Sequence, residues 1–313
     1  MSTGTAVRIT WTDLPTEIRA RAEHIIGGRV VDARSQTGGF SPGTADRVRT
    51  DDGRRAFVKA VTPAINEGSA QLARQEMRIC AALPEHAPVP RLLGAFDTGD
   101  WVVLVLEDID GAHPRTPWVE PEIDAAVTGL RELAAALTPA PLPDLPRASE
   151  RLAYDFAGWD RVAADPPPDL EPWAAAHLPA LRASAARGRA ALDAGTTLAH
   201  CDIRADNILV RGDGRAIFVD WPWGCISPDW LDRLLLAVNV LVSGGNPDPV
   251  LAGIDPRTAT DVVAGLTGFF LDRSRTPPPP GIPAVRAFQR AQADALLPWL
   301  RARAGPPIAS PPS

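Results

Sequence analysis

Along the chain, apolar positions first alternate with polar ones and later recur at three- to four-residue spacing. Val30–Ser35 and Ala45–Thr50 carry strand-like alternation on either side of a glycine-rich turn, and Ala56–Val61 repeats it. Glu67–Leu83 switches to helical spacing, while Trp101–Leu106 (WVVLVL) is a continuous apolar run fit for a central strand. Beyond Glu107 helical periodicity dominates, over Ile123–Leu137, Ala174–Ala194, Leu231–Val242, Thr258–Arg273 and Ala284–Arg303. The exception is His200–Asp220, HCDIRADNILVRGDGRAIFVD, where Ile208–Val210 and Ala216–Val219 flank a turn. A strand-rich front and a helix-rich back predict an α+β fold in two lobes. The small antiparallel-sheet lobe covers 1–106, a linker 107–111, and a mainly helical lobe 112–304.

Composition narrows this picture modestly. The 33 prolines cluster in Thr138–Pro146, Pro166–Pro172, Pro277–Pro280 and a tail, 305–313, expected to be disordered. Net charge is -6 and no long basic run occurs, so nucleic acid is not an expected partner. The acidic excess is compatible with a cationic substrate. Cys80, Cys201 and Cys225 are scattered and lack CxxC spacing, which points to a reducing compartment and away from a disulfide framework or structural zinc. Without a signal-like N-terminus or a membrane-length apolar run, the expected location is the cytoplasm.

Chemistry concentrates in the quoted segment. Asp213–Gly214 is a preferred central pair for a two-residue type I′ turn. That register sets Gly212 opposite Arg215 and, at the open end, Asn207 opposite Asp220, about 5 Å apart. Hard oxygen donors of this kind suit Mg²⁺, which takes one or two carboxylates and completes its shell with water and phosphate.

His200-x-Asp202-x4-Asn207, two apolar strands around a turn, and then Asp220 resemble the catalytic loop and metal-binding aspartate of the aminoglycoside phosphotransferase family. The resemblance implies a bilobal protein-kinase-like fold and phosphate transfer from ATP, with GTP as an alternative donor, to an alcohol group of an antibiotic-like or amine-bearing metabolite. It assigns Asp202 as catalytic base, Asn207 and Asp220 as Mg²⁺ ligands, and His200 and Asp232 as supports of the catalytic loop. Thr37, Gly38, Gly39 and Ser41 would cover the nucleotide, and Glu107, Asp108 and Ile109 would meet the adenine through main-chain groups. Cys201 stands where glycine is common in the family, Arg204 where many members have histidine, and Trp221-Pro222-Trp223 replaces a Trp-Gly step.

The front lobe should supply a lysine for the phosphates and a carboxylate to hold it. Alternation in AFVKAV puts Lys59 between Phe57 and Val61 on one face. In the following helix Glu76 interrupts the apolar stripe Leu72, Ile79, Leu83. Two misplaced opposite charges most simply satisfy each other, so Lys59–Glu76 is read as the phosphate-positioning pair, with Glu67 as the weaker candidate. For the acceptor, Tyr154, Asp155, Trp159 and Asp160 form an acidic-aromatic cluster suited to an amine; an amphipathic helix with core aromatics reads equally well. No long activation loop separates Asp220 from the helix at Leu231, which argues against a protein kinase. The competing function is a nucleotide-binding pseudokinase with a scaffolding role. Oligomeric state is not legible in the sequence.

Overall fold

The computed structural model describes residues 9–36, 43–279 and 283–303. Thr37, Gly38, Gly39 and Ser41, expected over the nucleotide, lie outside these residues, as does the proline-rich tail. The chain opens with α1 (Thr16–Ile26), then β1 (Val30–Ser35), β2 (Thr44–Thr50) and β3 (Arg55–Val61). Helix α2 (Glu67–Cys80) precedes β4 (Leu92–Asp97) and β5 (Val102–Leu106). The five strands make one antiparallel sheet in the order β1-β2-β3-β5-β4. All five residues of β5 are buried, which is why an unbroken apolar run occupies an interior position between β3 and β4.

Alternation in β3 sorts the two faces of the sheet. Ala56, Val58 and Ala60 are fully buried in a cluster with Trp11, Ile18 and Ala22, so α1 covers that side. Phe57, Lys59 and Val61 face the opposite way and line a cleft. Sequence periodicity does not reveal α1, because only Ile18, Ala22 and Ile26 of its eleven residues are buried. The helix stops at Gly27, whose φ of 85° is the left-handed conformation that glycine supplies without steric cost.

After β5 come β6 (Gly111–Ala112), α3 (Glu120–Ala136) and a run of short helices. These are α4 (Ala148–Arg151), α5 (Ala153–Phe156), α6 (Gly158–Ala164), α7 (Pro172–Ala176) and the longer α8 (Leu178–Ala191). The single helix expected over Ala174–Ala194 is therefore two. Pro179, in the first turn of α8, has no N–H to continue a helix from α7, and His177 at the break stacks on Trp173. The site strands follow: β7 (Thr197–Ala199), β8 (Ile208–Arg211), β9 (Ala216–Phe218) and β10 (Cys225–Ser227). β6, β8 and β9 form one small sheet, and β7 pairs with β10. Helices α9 (Leu231–Val242), α10 (Asp248–Leu251), α11 (Pro256–Ser274) and α12 (Val285–Arg303) complete the lobe.

Helix α11 runs through the helical core against α6, α8 and α12. Its crossings are glycine contacts: a Cβ on Gly158 would stand 2.3 Å from the Gly268 backbone, and one on Gly188 2.4 Å from the Asp261 carbonyl. Among the described residues, no helix is long and apolar enough to cross a membrane.

Candidate active site

β8 and β9 pair as Ile208↔Phe218, Leu209↔Ile217 and Val210↔Ala216, one residue away from the expected register. The turn holds three residues rather than two, with Arg211 N–H donating to the Arg215 carbonyl at 2.9 Å. Of the turn residues only Gly214 has positive φ, 83°, so Asp213 and Gly214 do not form the type I′ pair. Asp213 instead accepts the Arg215 N–H at 3.0 Å. Asn207 consequently faces Val219, whose N–H donates to the Asn207 carbonyl at 3.0 Å. Asp220 comes one residue later and turns at φ 71°, a left-handed conformation that costs a non-glycine residue free energy and marks functional sites. Asn207 and Asp220 nonetheless both line the cleft.

The loop after β7 is pinned from beneath. Asp232, the first acidic residue of α9, accepts N–H bonds from His200 at 2.7 Å and Cys201 at 3.0 Å. Burial raises the Asp232 carboxyl, against the pull of His200 and those two N–H groups. His200 is wholly buried; its Nε2 donates to the Val219 carbonyl at 2.9 Å and its Nδ1 accepts the Asp202 N–H at 3.2 Å. These partners put the ring proton on Nε2 and make the histidine a brace rather than a proton carrier. Asn207 Nδ2 donates to the Asp202 carbonyl at 2.8 Å and to its carboxylate at 3.1 Å, fixing the side chain of the expected base. Burial also raises the Asp202 carboxyl, opposed by Arg204 and His200, which brings its basicity closer to neutrality. Arg204 forks onto Asp206 and reaches Asp202 at 3.4 Å.

Lys59 joins the two lobes. Its ammonium contacts Glu76 at 2.6 Å and Asp220 at 2.7 Å. Burial opposes its charge, but the two carboxylates outweigh that and hold the lysine above its ordinary value. Burial also raises Glu76, whereas Lys59 overcomes burial to keep Asp220 below the usual carboxylate range. Glu76 further accepts the Trp221 N–H at 3.3 Å, so one carboxylate ties α2 to both the lysine and the residue after Asp220. Glu67, by contrast, sits exposed in the first turn of α2, 3.8 Å from Arg74.

Lys59, Glu76, Arg204, Asn207 and Asp220 line a cavity of about 600 Å³ between the sheet and the helical lobe, and Asp202 lies behind Asn207, to which it is hydrogen-bonded. Glu107, Asp108 and Ile109 line it, as expected of a linker. The side chain of Asp108 has a second task that sequence reading misses: Arg47 and Arg55 clamp it at 2.6 and 2.7 Å, fastening the linker to β2 and β3. Asn239 is also missed. It accepts the Ala205 N–H at 3.2 Å and the Trp118 indole N–H at 3.0 Å, supporting the loop between β7 and β8 from α9. Its signal was available, since Asn239 breaks the apolar run LLLAVNVLV in the way Glu76 breaks its own helix.

Two expectations are overturned. Trp159 is a core residue with no exposed surface, its indole N–H bonded to the Ala264 carbonyl at 2.7 Å, so it offers no ring to a substrate. Tyr154 is half exposed, but Arg161 and Arg273 already lie over its ring at 3.8 and 4.4 Å. Asp160 pairs with Arg182 at 2.6 Å, and Asp155 sits among Arg273, Arg161 and Arg151. None of the four lines this cavity. The amine-binding cluster is thus already filled by the protein's own arginines. The cysteines are the second correction: Cys201 and Cys225 form a disulfide, with Cα atoms 6.8 Å apart. Pairing of β7 with β10 places Cys225 opposite Ala199, which a separation of 24 residues conceals. Cysteine usage therefore no longer argues for a reducing compartment.

A sheet lobe carrying a Lys–Glu pair above a helical lobe with a braced Asp–Asn loop defines the class of kinase-like phosphotransferases. The chain belongs to the phosphotransferase enzyme family, whose model matches residues 38–260. Solved structures with the same fold include the choline kinase LicA from Streptococcus pneumoniae, at TM-score 0.61 and 14% identity over 90% of this chain and 98% of that one. An aminoglycoside phosphotransferase in complex with GDP and kanamycin superposes at TM-score 0.60 and 13% identity, covering 92% and 98%. Another, from Alicyclobacillus acidocaldarius, superposes at 0.53 and 14%, covering 93% and 96%. The comparison with curated proteins returns no match.

Proposed function

We propose that this protein transfers the γ-phosphate of ATP, or of GTP, to a hydroxyl of a small molecule, an antibiotic-like compound or a metabolite. The observation carrying this reading is the convergence of separate stretches on one cleft: Lys59 with Glu76 and Asp220 across the lobes, and Asn207 holding Asp202. In this reading the main chain of Glu107–Ile109 meets the base, and Lys59, held by Glu76, grips the phosphates. Asp202 orients the acceptor hydroxyl and takes its proton as the new P–O bond forms and ADP leaves.

The donor set fits magnesium, which favours one or two carboxylates with phosphate and water completing its shell. Asp220 and Asn207 would hold the ion, which would neutralise charge on the β- and γ-phosphates. The rest of the rate enhancement comes from positioning. The structural neighbours include a kanamycin complex and a choline kinase, which supports a small-molecule acceptor while leaving its chemistry to this chain's own residues.

The test is ADP release across a panel of aminoglycosides, nucleosides, amino alcohols and hydroxy acids. Asp202→Asn is expected to bind Mg-ATP as the parent does and to lose transfer by about 10²–10⁴-fold. Unchanged turnover would remove Asp202 from its role. Nucleotide binding with no transfer to any acceptor, insensitive to Asp202→Ala, would support a pseudokinase scaffold instead.

A further inference from the structure

Arg151, Arg161, Arg273 and Arg286 gather around Tyr154 and Asp155 on the helical lobe, in a chain whose net charge is -6. Arg151 lies over the Trp223 ring at 5.0 Å and donates to the Pro222 carbonyl at 3.3 Å. Pro222 is a wall of the nucleotide cavity, two residues after Asp220. Arg161 and Arg273 cover the Tyr154 ring, and Arg286 at the start of α12 feels both Arg273 and Tyr154. The disulfide ties this region to the catalytic base: Cys201 precedes Asp202, and Cys225 follows Trp223 by two residues, with 6.8 Å between the cysteine Cα atoms.

The cationic groups exceed the carboxylates that could answer them. Arg161 pairs with Asp272 at 2.7 Å. Arg151 is held by a carbonyl and an aromatic face, Arg286 by the Pro277 carbonyl and Gln289, and Arg273 by the Tyr154 ring. Asp155 is set among Arg151, Arg161 and Arg273. Even with Asp155 ionised and Arg161 paired to Asp272, the four arginines outnumber these two carboxylates, which leaves the excess positive. Guanidinium groups are suited to carboxylates and phosphates, which accept bidentate pairs.

We propose that the acceptor is a small hydroxylated anion, whose carboxylate or phosphate is held by Arg151, Arg273 and Arg286 while its hydroxyl reaches Asp202. This rests on the phosphotransferase reading and specifies its substrate class. It reverses the expectation of an amine-bearing acceptor.

The experiment is calorimetric titration of the full chain saturated with Mg-ADP, so that the nucleotide site cannot take up the probes. The probes are glycerate for a carboxylate, glycerol 3-phosphate for a phosphate ester, and ethanolamine and kanamycin for cations. At least one anionic probe should bind the parent and the Asp202→Asn variant alike, and the better of the two identifies the anion. Its affinity should fall at least tenfold in Arg151→Gln/Arg273→Gln, with Mg-ADP affinity unchanged as the check on folding. Should that double variant fail to fold, Arg286→Gln alone should weaken the same probe at least threefold. Anion binding that ignores these substitutions, binding of cations only, or binding of no probe overturns the proposal. The phosphotransferase reading fails by a different result, namely absence of Mg-ADP binding itself.

Discussion

Lys59 is the one lysine among the 32 lysines and arginines of the chain. It stands where a compact ammonium has to touch two carboxylates at 2.6 and 2.7 Å, a geometry that a planar guanidinium cannot reproduce. Lys59→Arg keeps the charge and should still lower kcat/KM for ATP by about tenfold or more, the cost of roughly one displaced charge-assisted hydrogen bond. Wild-type kinetics in that variant would contradict the assigned role. Asp155 offers a second residue-scale test. Burial lifts its carboxyl to about 6, against Arg273, Arg161 and Arg151, from 3.8 in the unfolded chain. The folded protein therefore binds more protons between those values, and stability falls as pH rises through that window. Urea melts from about pH 4 to 7 should show a loss on the order of 1–3 kcal/mol in the parent that Asp155→Asn lacks. Parallel curves for the two proteins would refute this environment for Asp155.

At the scale of elements, the glycine contacts of α11 make a quantitative expectation. Gly158→Ala and Gly188→Ala place a methyl within 2.3 and 2.4 Å of backbone atoms and should each cost about 1–3 kcal/mol in denaturant melts. Gly212→Ala meets nothing within 4 Å and should stay within about 0.5 kcal/mol. Equal effects at the three positions would mean that the helices do not cross as described. The hairpin shows why element existence was legible when register was not. Apolar runs announced β8 and β9, but a two- and a three-residue turn around Asp213–Gly214 differ only in which residues take positive φ. Alternation likewise revealed β3 and the cleft-facing Lys59. Helix α1 went unseen because three buried residues in eleven leave no clear stripe. The interrupted apolar faces at Glu76 and Asn239 carry the same signal, yet only the first was used. Tyr154 and Trp159 misled because local composition cannot reveal arginines contributed by α6 and α11, or a ring buried against α11.

At the scale of the whole molecule, the two lobes meet through Lys59, Asp220 and Glu76, so a nucleotide entering the cleft engages both at once. Binding to the folded state alone stabilises it by about 2.7 kcal/mol at a hundredfold excess over Kd, so Mg-ATP should raise Tm in one cooperative transition. The most direct measurement is calorimetric titration of ATP with and without Mg²⁺, for the parent and for Asp220→Asn. The parent should bind ATP at least tenfold more tightly with magnesium than with a chelator, and Asp220→Asn should lose that difference. An affinity indifferent both to magnesium and to Asp220 would contradict a metal-assisted phosphotransfer site at this cleft.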